Sequence, residues 1–175
     1  TAENWAVWHR GTGTGNGWSS LSLNSASAGS NGFPQSVVTA TTVNVTDVVG
    51  AGASPNGVNI SGATYIAYLF AHDTSADGII QAGSYTGNGT AAGQLISLGW
   101  EPQWLLVRES SGAANWQIYD ATRGWSNGSN DALLYANLSN AEGSASSGHP
   151  EATGLRAIDG NINTNAVTYI YLAIR

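Results

Sequence analysis

Short apolar segments alternate with clusters of glycine, serine and asparagine along the whole chain. The segments are rich in Val, Ile, Trp and Tyr, and no window of about eleven residues shows the 3.6-residue period of an amphipathic helix. Turn-forming pairs such as Asn56-Gly57 and Asp77-Gly78 separate them. The pattern predicts an all-β protein. The predicted strands are Asn4–Trp8, Val37–Val45, Thr64–Ala71, Ile79–Tyr85, Gln94–Leu98, Gln103–Glu109, Asn115–Tyr119, Ala132–Ala136 and Thr168–Ile174.

Some of these segments recur in the same order, which predicts two related halves. The matching pairs are "NWAVW" at Asn4–Trp8 with "NWQIY" at Asn115–Tyr119, Leu21–Gly29 loosely with Leu134–Gly143, and "TYIAYLFA" at Thr64–Ala71 with "TYIYLAI" at Thr168–Ile174. Alternation along a strand assigns the side chains of each pair to the same faces. On this basis Trp5 and Trp116 are both predicted to be core residues.

The second half contains a stretch that has no counterpart in the first. Ser84–Ser110 precedes the second Trp motif, and nothing similar precedes the first. We therefore expect 1–73 to be a partial first unit, 74–83 a joint and 84–175 a complete second unit. The natural polypeptide is then expected to carry an upstream segment that resembles Ser84–Ser110. The predicted fold is an antiparallel β-sandwich of jelly-roll or lectin-like type, in which the halves form either one sandwich or two.

Composition narrows the range of partners. Charged residues make up 9% of the chain, all five basic residues are Arg, and the formal net charge is −6. Nucleic-acid binding is not expected, because phosphate contacts need clustered Lys or Arg. No apolar run is long enough to insert into a membrane. The absence of Cys excludes disulfides and thiolate metal sites.

The motifs together resemble a known family. "SYTGNGT", "GQLISLGWEPQWLLVRES", "NWQIYDATRG" and the closing "TYIYLAIR" are similar to a repeated β-domain in virion structural proteins of tailed bacteriophages, notably marine phages and cyanophages. The resemblance implies a tail-fibre or surface protein located on the virion, hence extracellular, with other virion proteins as partners. Sheet edges and a neutral surface without Lys predict a homo-oligomer, as a multi-copy lattice on the particle or, by analogy with the family, as a trimer.

Aromatic residues in polar loops are the candidate ligand-binding groups. Trp18 and Trp125 each follow an Arg-Gly pair in a loop rich in Gly, Ser and Asn. An exposed indole beside Asn127 and Asp131 could stack on a sugar ring and bond its hydroxyls, which predicts contact with host surface glycans. The alternative is that both indoles pack within the sandwich or against a neighbouring subunit.

Calcium is the one cofactor that the sequence suggests. Asp73, Ser75 and Asp77 alternate before Gly78 as in the first half of a calcium loop, but Ser84 stands where the closing acid is required. The alternative is a polar turn between units.

Catalytic patterns are weak, so the chain is expected not to be an enzyme. No Gly-x-Ser-x-Gly elbow occurs. A glycosidase would need two facing carboxylates, for which the candidates are Glu101, Glu109, Asp120 and Asp131. The resemblance to phage virion proteins then implies, as the expected function, a fibre, spike or knob module on the virion surface. The alternatives are a capsid decoration protein, a secreted carbohydrate-binding module and a polysaccharide depolymerase.

Overall fold

The computed structural model describes residues 5–12, 21–26, 41–43, 45, 58–59, 61–128 and 130–175. Within these residues, β-strands account for nearly all regular structure, so the all-β prediction is confirmed. The strands are β1 (Ala6–Val7), β2 (Leu21–Ser22), β3 (Ile80–Thr86), β4 (Gln94–Ser97), β5 (Trp104–Glu109), β6 (Gln117–Asp120), β7 (Asp131–Tyr135), β8 (Gly143–Ala145), β9 (Gly148–Glu151), β10 (Gly154–Ala157) and β11 (Thr168–Ile174). Single-turn 3₁₀ helices follow β1 and β6, at Arg10–Thr12 and Ala121–Arg123.

The strands form two packed antiparallel sheets and a separate short hairpin. The larger sheet has the order β3-β11-β5-β6-β7-β8, the smaller has the order β4-β10-β9, and β1 pairs with β2. Strand β11 lies between β3 and β5 and is antiparallel to both. It therefore connects the two parts of the larger sheet.

The main core lies between the two sheets. The larger sheet contributes Tyr85, Tyr169 and Leu105, and the smaller sheet contributes Ile96 and Leu155. The Tyr85 and Tyr169 rings are stacked, with centroids 5.3 Å apart. Burial of these large side chains is the main stabilising contribution in a sandwich of this kind.

The outer face of the larger sheet is covered by the β1–β2 hairpin. Leu21 of the hairpin packs with Trp116 and Ile170 in a second, smaller core, against which Val7 and Leu106 also pack. β11 has apolar side chains on both of its faces, as is expected of a strand that is covered on both sides of its sheet. The N-terminal part of the chain thus packs onto the second half.

Strand prediction succeeded where a strand is long and apolar. The prediction Thr168–Ile174 coincides with β11, and the predictions that correspond to β3, β4, β5, β6 and β7 differ from those strands by one or two residues at an end. The predictions missed β2, β8, β9 and β10, which are two to four residues long. Most of the predicted strand Val37–Val45 lies outside the described residues.

The predicted strand Thr64–Ala71 is wrong. The segment takes part in no strand within the described residues, and its side chains are exposed. In the second half, the matching sequence is a strand because β3 and β5 hydrogen-bond to its two edges. Within the part of the chain that the structure describes, no strand flanks Thr64–Ala71, so the apolar sequence alone does not produce one.

The prediction that Trp5 is a core residue is also wrong, whereas that for Trp116 is confirmed. Trp5 is 48% exposed and Trp116 is 2% exposed. The β1–β2 hairpin covers Trp116. Among the described residues, the Trp5 ring contacts one other aromatic ring, that of Tyr68, with centroids 5.8 Å apart.

The described strands are unevenly distributed over the predicted units. The described part of 1–73 contains two short strands, and β3 begins at Ile80, inside the predicted joint 74–83.

Candidate functional site

The structure buries Trp125, so the prediction of an exposed sugar-stacking indole at this position is wrong. After the 3₁₀ turn Ala121–Arg123, Gly124 adopts φ 102° and redirects the chain. This left-handed conformation is one that glycine adopts without strain. The indole is 2% exposed, lies 5.9 Å from the Tyr119 ring and donates a hydrogen bond from Nε1 to the Gly148 carbonyl at 2.8 Å.

The other predicted sugar-contacting residues are not brought together. Asp131 is 2% exposed, and its Oδ1 accepts a hydrogen bond from the Ser126 backbone amide at 3.1 Å. Burial raises the pKa of this carboxyl above its usual range. Asn127 is exposed on the same loop, and Trp18 lies outside the described residues. The placement of Trp125 and Asp131 favours the packing alternative for this loop.

Asp73, Ser75 and Asp77 form an exposed turn that leads into β3. Asp73 Oδ1 accepts a hydrogen bond from the Ser75 amide at 2.8 Å, which lowers the pKa of the Asp73 carboxyl. The Gly78 amide donates to the Ser75 carbonyl at 3.0 Å, and the Asp73 amide donates to the Ile80 carbonyl at 2.9 Å. These bonds are typical of a polar turn. The described residues contain no group of three or more His, Asp or Glu side chains placed for a metal ion, and calcium binding stays a prediction.

A polar cleft lies where the first half meets the edge of the larger sheet. It has a volume of about 240 Å³ and is lined by Arg10, Gly11, His72, Ala82, Gly83, Ser84 and Tyr171. Arg10 and His72 come from the first half, whereas Ser84 and Tyr171 come from β3 and β11. The volume is below that of a typical drug-sized pocket and suits a small polar group.

Two imidazoles, that of His72 in the lining of the cleft and that of His9 next to Arg10, have pKa values below the usual one. His9 lies beside Arg10; its Nδ1 accepts a hydrogen bond from the Gly11 amide at 2.9 Å, and its Nε2 lies 2.9 Å from the Tyr171 carbonyl. Both contacts are satisfied when the proton is on Nε2. Burial lowers the pKa of His9, and burial followed by the Arg10 charge lowers that of His72. Arg10 is the arginine among the residues that line the cleft and supplies it with a positive charge.

Sequence reasoning missed this cleft because its residues are far apart along the chain. One available signal was the Arg-Gly pair at Arg10-Gly11, which follows the first Trp motif as Arg123-Gly124 follows the second. Arg123 pairs with Asp120 and Glu142, whereas Arg10 forms no ion pair with any residue that the structure describes.

Of the four carboxylates that could have formed a hydrolytic pair, those of Asp120 and Asp131 accept local hydrogen bonds. Asp120 caps the turn that follows β6 by accepting a hydrogen bond from the Thr122 amide at 2.8 Å. Contacts with Thr122 lower the pKa of the Asp120 carboxyl. The Asp131 carboxylate accepts a hydrogen bond from the Ser126 amide. Glu101 is exposed beside the buried Pro102, and Glu109 is the last residue of β5.

Thr64–Ala71 forms an exposed apolar stretch, which we call the exposed segment. Ile66, Tyr68 and Leu69 are each at least 70% exposed, and Tyr65 and Phe70 are about half exposed. A contiguous stretch of this kind on a protein surface usually marks an interaction site. It is the second candidate functional site, after the polar cleft.

The fold and these sites define the class of protein. It is an antiparallel β-sandwich with a small polar cleft, and the exposed apolar segment directly precedes His72 of that cleft in the chain. The chain belongs to the family described as "Domain of unknown function (DUF7483)", whose model matches residues 1–175. No curated protein and no solved structure matches it significantly. Among the described residues, no helix is long and apolar enough to cross a membrane.

Proposed function

We propose that this protein is a non-enzymatic structural protein on the surface of a tailed-phage particle, acting as a fibre, spike or knob module. The proposal starts from the resemblance to repeated β-domains of phage virion proteins. One structural observation carries it further: the aromatic residues of the second Trp motif and of the loop that follows it are used for packing. Trp116, Tyr119 and Trp125 are each at most 2% exposed and belong to the two cores.

Motifs that build a framework suit a module whose function is architectural. A lectin or a hydrolase would instead present some of its motif aromatics and acids to solvent at one site. The exposed segment supports the same proposal, because a protein of a multi-copy particle needs apolar surface for its neighbours. The expected partners are other virion proteins and further copies of the chain, as a trimer or a lattice.

Localisation on the particle is the direct test. Purified particles of the encoding phage would be examined by mass spectrometry and by electron microscopy with an antibody against the folded chain. We expect the chain to be detected in the particle and the antibody to bind fibres, spikes or the outer tail. Labelling of the capsid faces would instead favour a decoration protein, and absence from purified particles would refute the proposal.

A second candidate function, contact with an anionic sugar of the host surface, is favoured by the polar cleft. Arg10 supplies a positive charge, and Ser84 and Tyr171 supply hydroxyls within a volume of about 240 Å³. A guanidinium is well suited to a carboxylate. Glucuronate binding, measured by NMR titration, should be lost in Arg10→Gln, retained in Arg123→Gln and absent for neutral glucose. Equal binding of glucose and glucuronate would exclude this function.

A further inference from the structure

Two Asn-Gly pairs lie within the described residues, at Asn88-Gly89 and Asn127-Gly128. Asparagine is a chemically labile residue, and it loses its side-chain amide most readily before glycine, which has no side chain to shield its backbone nitrogen. In a folded protein, the reaction requires that this nitrogen be free to approach the asparagine carboxamide. Both asparagines are exposed, so the contacts of the two pairs, and not their access to solvent, distinguish them.

The Asn88 side chain is held in place by three hydrogen bonds. Its Oδ1 accepts from the Thr90 amide, from the Thr90 hydroxyl and from Asn163 Nδ2, each at 3.0 Å. The backbone amides of the pair are also bound, since Asn88 donates to Asn163 Oδ1 at 3.0 Å and Gly89 donates to the Asn163 carbonyl at 2.9 Å. Asn163 is itself buried, at 1% exposure. The reacting groups of this pair are therefore fixed against a buried residue of a distant loop.

The Asn127-Gly128 pair lies in an open bend between Trp125 and β7. Among the residues that the structure describes, none hydrogen-bonds to the Asn127 side chain. The Gly128 amide donates to the Ser126 carbonyl at 2.8 Å, which is a contact within the bend itself. A Cβ at Gly128 would meet the Ser126 Oγ at 3.5 Å and, in the described part of the chain, no other atom that does not belong to its two neighbours. No distant part of the described fold therefore holds the reacting groups of this pair.

We propose that Asn127 is a site of spontaneous deamidation and that the fold protects Asn88 from the same reaction. After the Gly128 nitrogen loses its proton to a base in solution, it attacks Asn127 Cγ. The Cγ–Nδ2 bond breaks, the amide nitrogen takes a proton from water and leaves as ammonia, and a succinimide ring remains. Water then opens the ring. Addition at Cγ breaks its bond to the Gly128 nitrogen and gives an aspartate, whereas addition at the backbone carbonyl carbon breaks the bond from that carbon to the same nitrogen and gives an isoaspartate.

The products differ from the original bend in charge and in backbone length. Either acid adds one negative charge to a chain whose formal net charge is −6. Isoaspartate also lengthens the backbone by a methylene, between Ser126, whose amide donates to Asp131 Oδ1 at 3.1 Å, and Gly128. Trp125, which precedes the bend, keeps its hydrogen bond to the Gly148 carbonyl. The modification therefore alters the exposed surface of the loop and leaves the buried indole in place.

Peptide mapping of the folded full chain tests the proposal. The protein would be incubated in a mildly alkaline buffer, and the amide and acid forms of each Asn-Gly peptide would be quantified over time by mass spectrometry. We expect Asn127 to be converted at least about tenfold faster than Asn88, because the barrier at Asn88 includes the loss of several hydrogen bonds. Methylation by a protein isoaspartate methyltransferase would detect the isoaspartate. The mapping also separates the Asn-Gly pairs outside the described residues, which begin at Asn16, Asn31 and Asn56.

Two controls connect the rate of conversion to the structure. Gly128→Ala places a methyl group beside the attacking nitrogen and should slow conversion of Asn127 at least about tenfold, because crowding displaces the nitrogen from the geometry of attack. The variant should fold, since the added Cβ makes an ordinary contact of 3.5 Å with Ser126, and circular dichroism would verify this. In the chain unfolded by urea, Asn88 loses its hydrogen bonds and should be converted at about the same rate as Asn127.

Three results would overturn the proposal. They are an unmodified Asn127 under conditions that convert the unfolded chain, conversion of Asn88 as fast as that of Asn127 in the folded chain, and equal conversion of Asn127 in wild type and in Gly128→Ala. None of these results depends on where the protein lies on a particle, so the deamidation site and the proposed function can fail separately.

Discussion

The Trp116 indole donates a hydrogen bond from Nε1 to the backbone carbonyl of Ser22 at 2.8 Å, and so joins the second half to the first. Both residues are buried. The Arg108 guanidinium lies 5.1 Å from the Trp116 ring centroid and donates to the Ala26 carbonyl at 3.2 Å. The contact between the halves therefore includes buried polar bonds as well as apolar packing.

We expect Trp116→Phe to destabilise the protein by about 1–3 kcal/mol, because it removes part of a buried aromatic side chain and the indole hydrogen bond to the buried Ser22 carbonyl, which also accepts from the Ser25 amide at 3.3 Å. Urea unfolding monitored by circular dichroism would measure this. Trp5→Phe is the matched control at the equivalent position of the first half, where the exposed side chain should make the change smaller than about 0.5 kcal/mol. Equal effects of the two substitutions would contradict the described contact.

Trp125→Ala should lower the free energy of unfolding by about 3–5 kcal/mol, since it removes a large buried side chain and leaves a cavity. Asn127→Ala, on the exposed part of the same loop, should change it by less than about 0.5 kcal/mol. Urea unfolding of both variants is the measurement. If Trp125→Ala proved as stable as wild type, the buried position of the indole would be wrong.

We expect the free energy of unfolding to fall at acidic pH, because protonation of His9 disfavours the packing of the N-terminal segment. Burial lowers the pKa of this imidazole below its usual value of 6.5, so the unfolded chain binds a proton more readily than the folded one. Stability is then complete above the unfolded pKa and decreases as the pH falls below about 6.5. Protonation would also remove the acceptor for the Gly11 amide.

The measurement for His9 is the urea midpoint at pH 7.5 and pH 5. We expect wild type to lose stability between the two, and His9→Gln to lose less because its side chain does not titrate. His72→Gln should retain more of the wild-type pH dependence than His9→Gln, because the His72 side chain is exposed although its pKa is also lowered by partial burial. An unchanged pH dependence in His9→Gln would exclude His9 as the titrating group.

Gly154→Ala should destabilise the smaller sheet. A Cβ at Gly154 would collide with the backbone carbonyl of Ile96, on the neighbouring strand β4. The fixed backbone leaves little room for relaxation, so we expect a loss of about 1–3 kcal/mol in urea unfolding. Gly143→Ala on β8 meets no atom within 4 Å and serves as the control. A comparable loss in both variants would show that the cost is not due to the close approach of β4.

The sequence predicted those parts of the fold that depend on local pattern. β11 and β5 are long runs of apolar and β-branched residues, and their strands follow from that pattern. β9 contains Gly, His and Pro, and its pairing with β10 depends on long-range packing that no local pattern reveals. The exposed segment shows the opposite case, in which a strong strand pattern has no flanking strand among the residues that the structure describes.

The candidate sites show the same limit. A tryptophan in a loop rich in Gly and Ser indicated exposure, but the positive φ at Gly124 turns the Trp125 indole into the core. The polar cleft joins Arg10 to Tyr171, residues that share no local motif. The packing of the 3₁₀ turn Arg10–Thr12 against β3, together with the contact of His9 Nε2 with the Tyr171 carbonyl at 2.9 Å, brings these two parts of the chain together.

The position of β11 in the larger sheet has a consequence for folding. β3 and β5 are each hydrogen-bonded to β11 and not to each other, although β11 is synthesised long after both. On the ribosome, the facing edges of β3 and β5 therefore stay open until the residues of β11 emerge. Such late closure of long-range pairs is typical of slow folding, and open edges can recruit strands from other nascent chains.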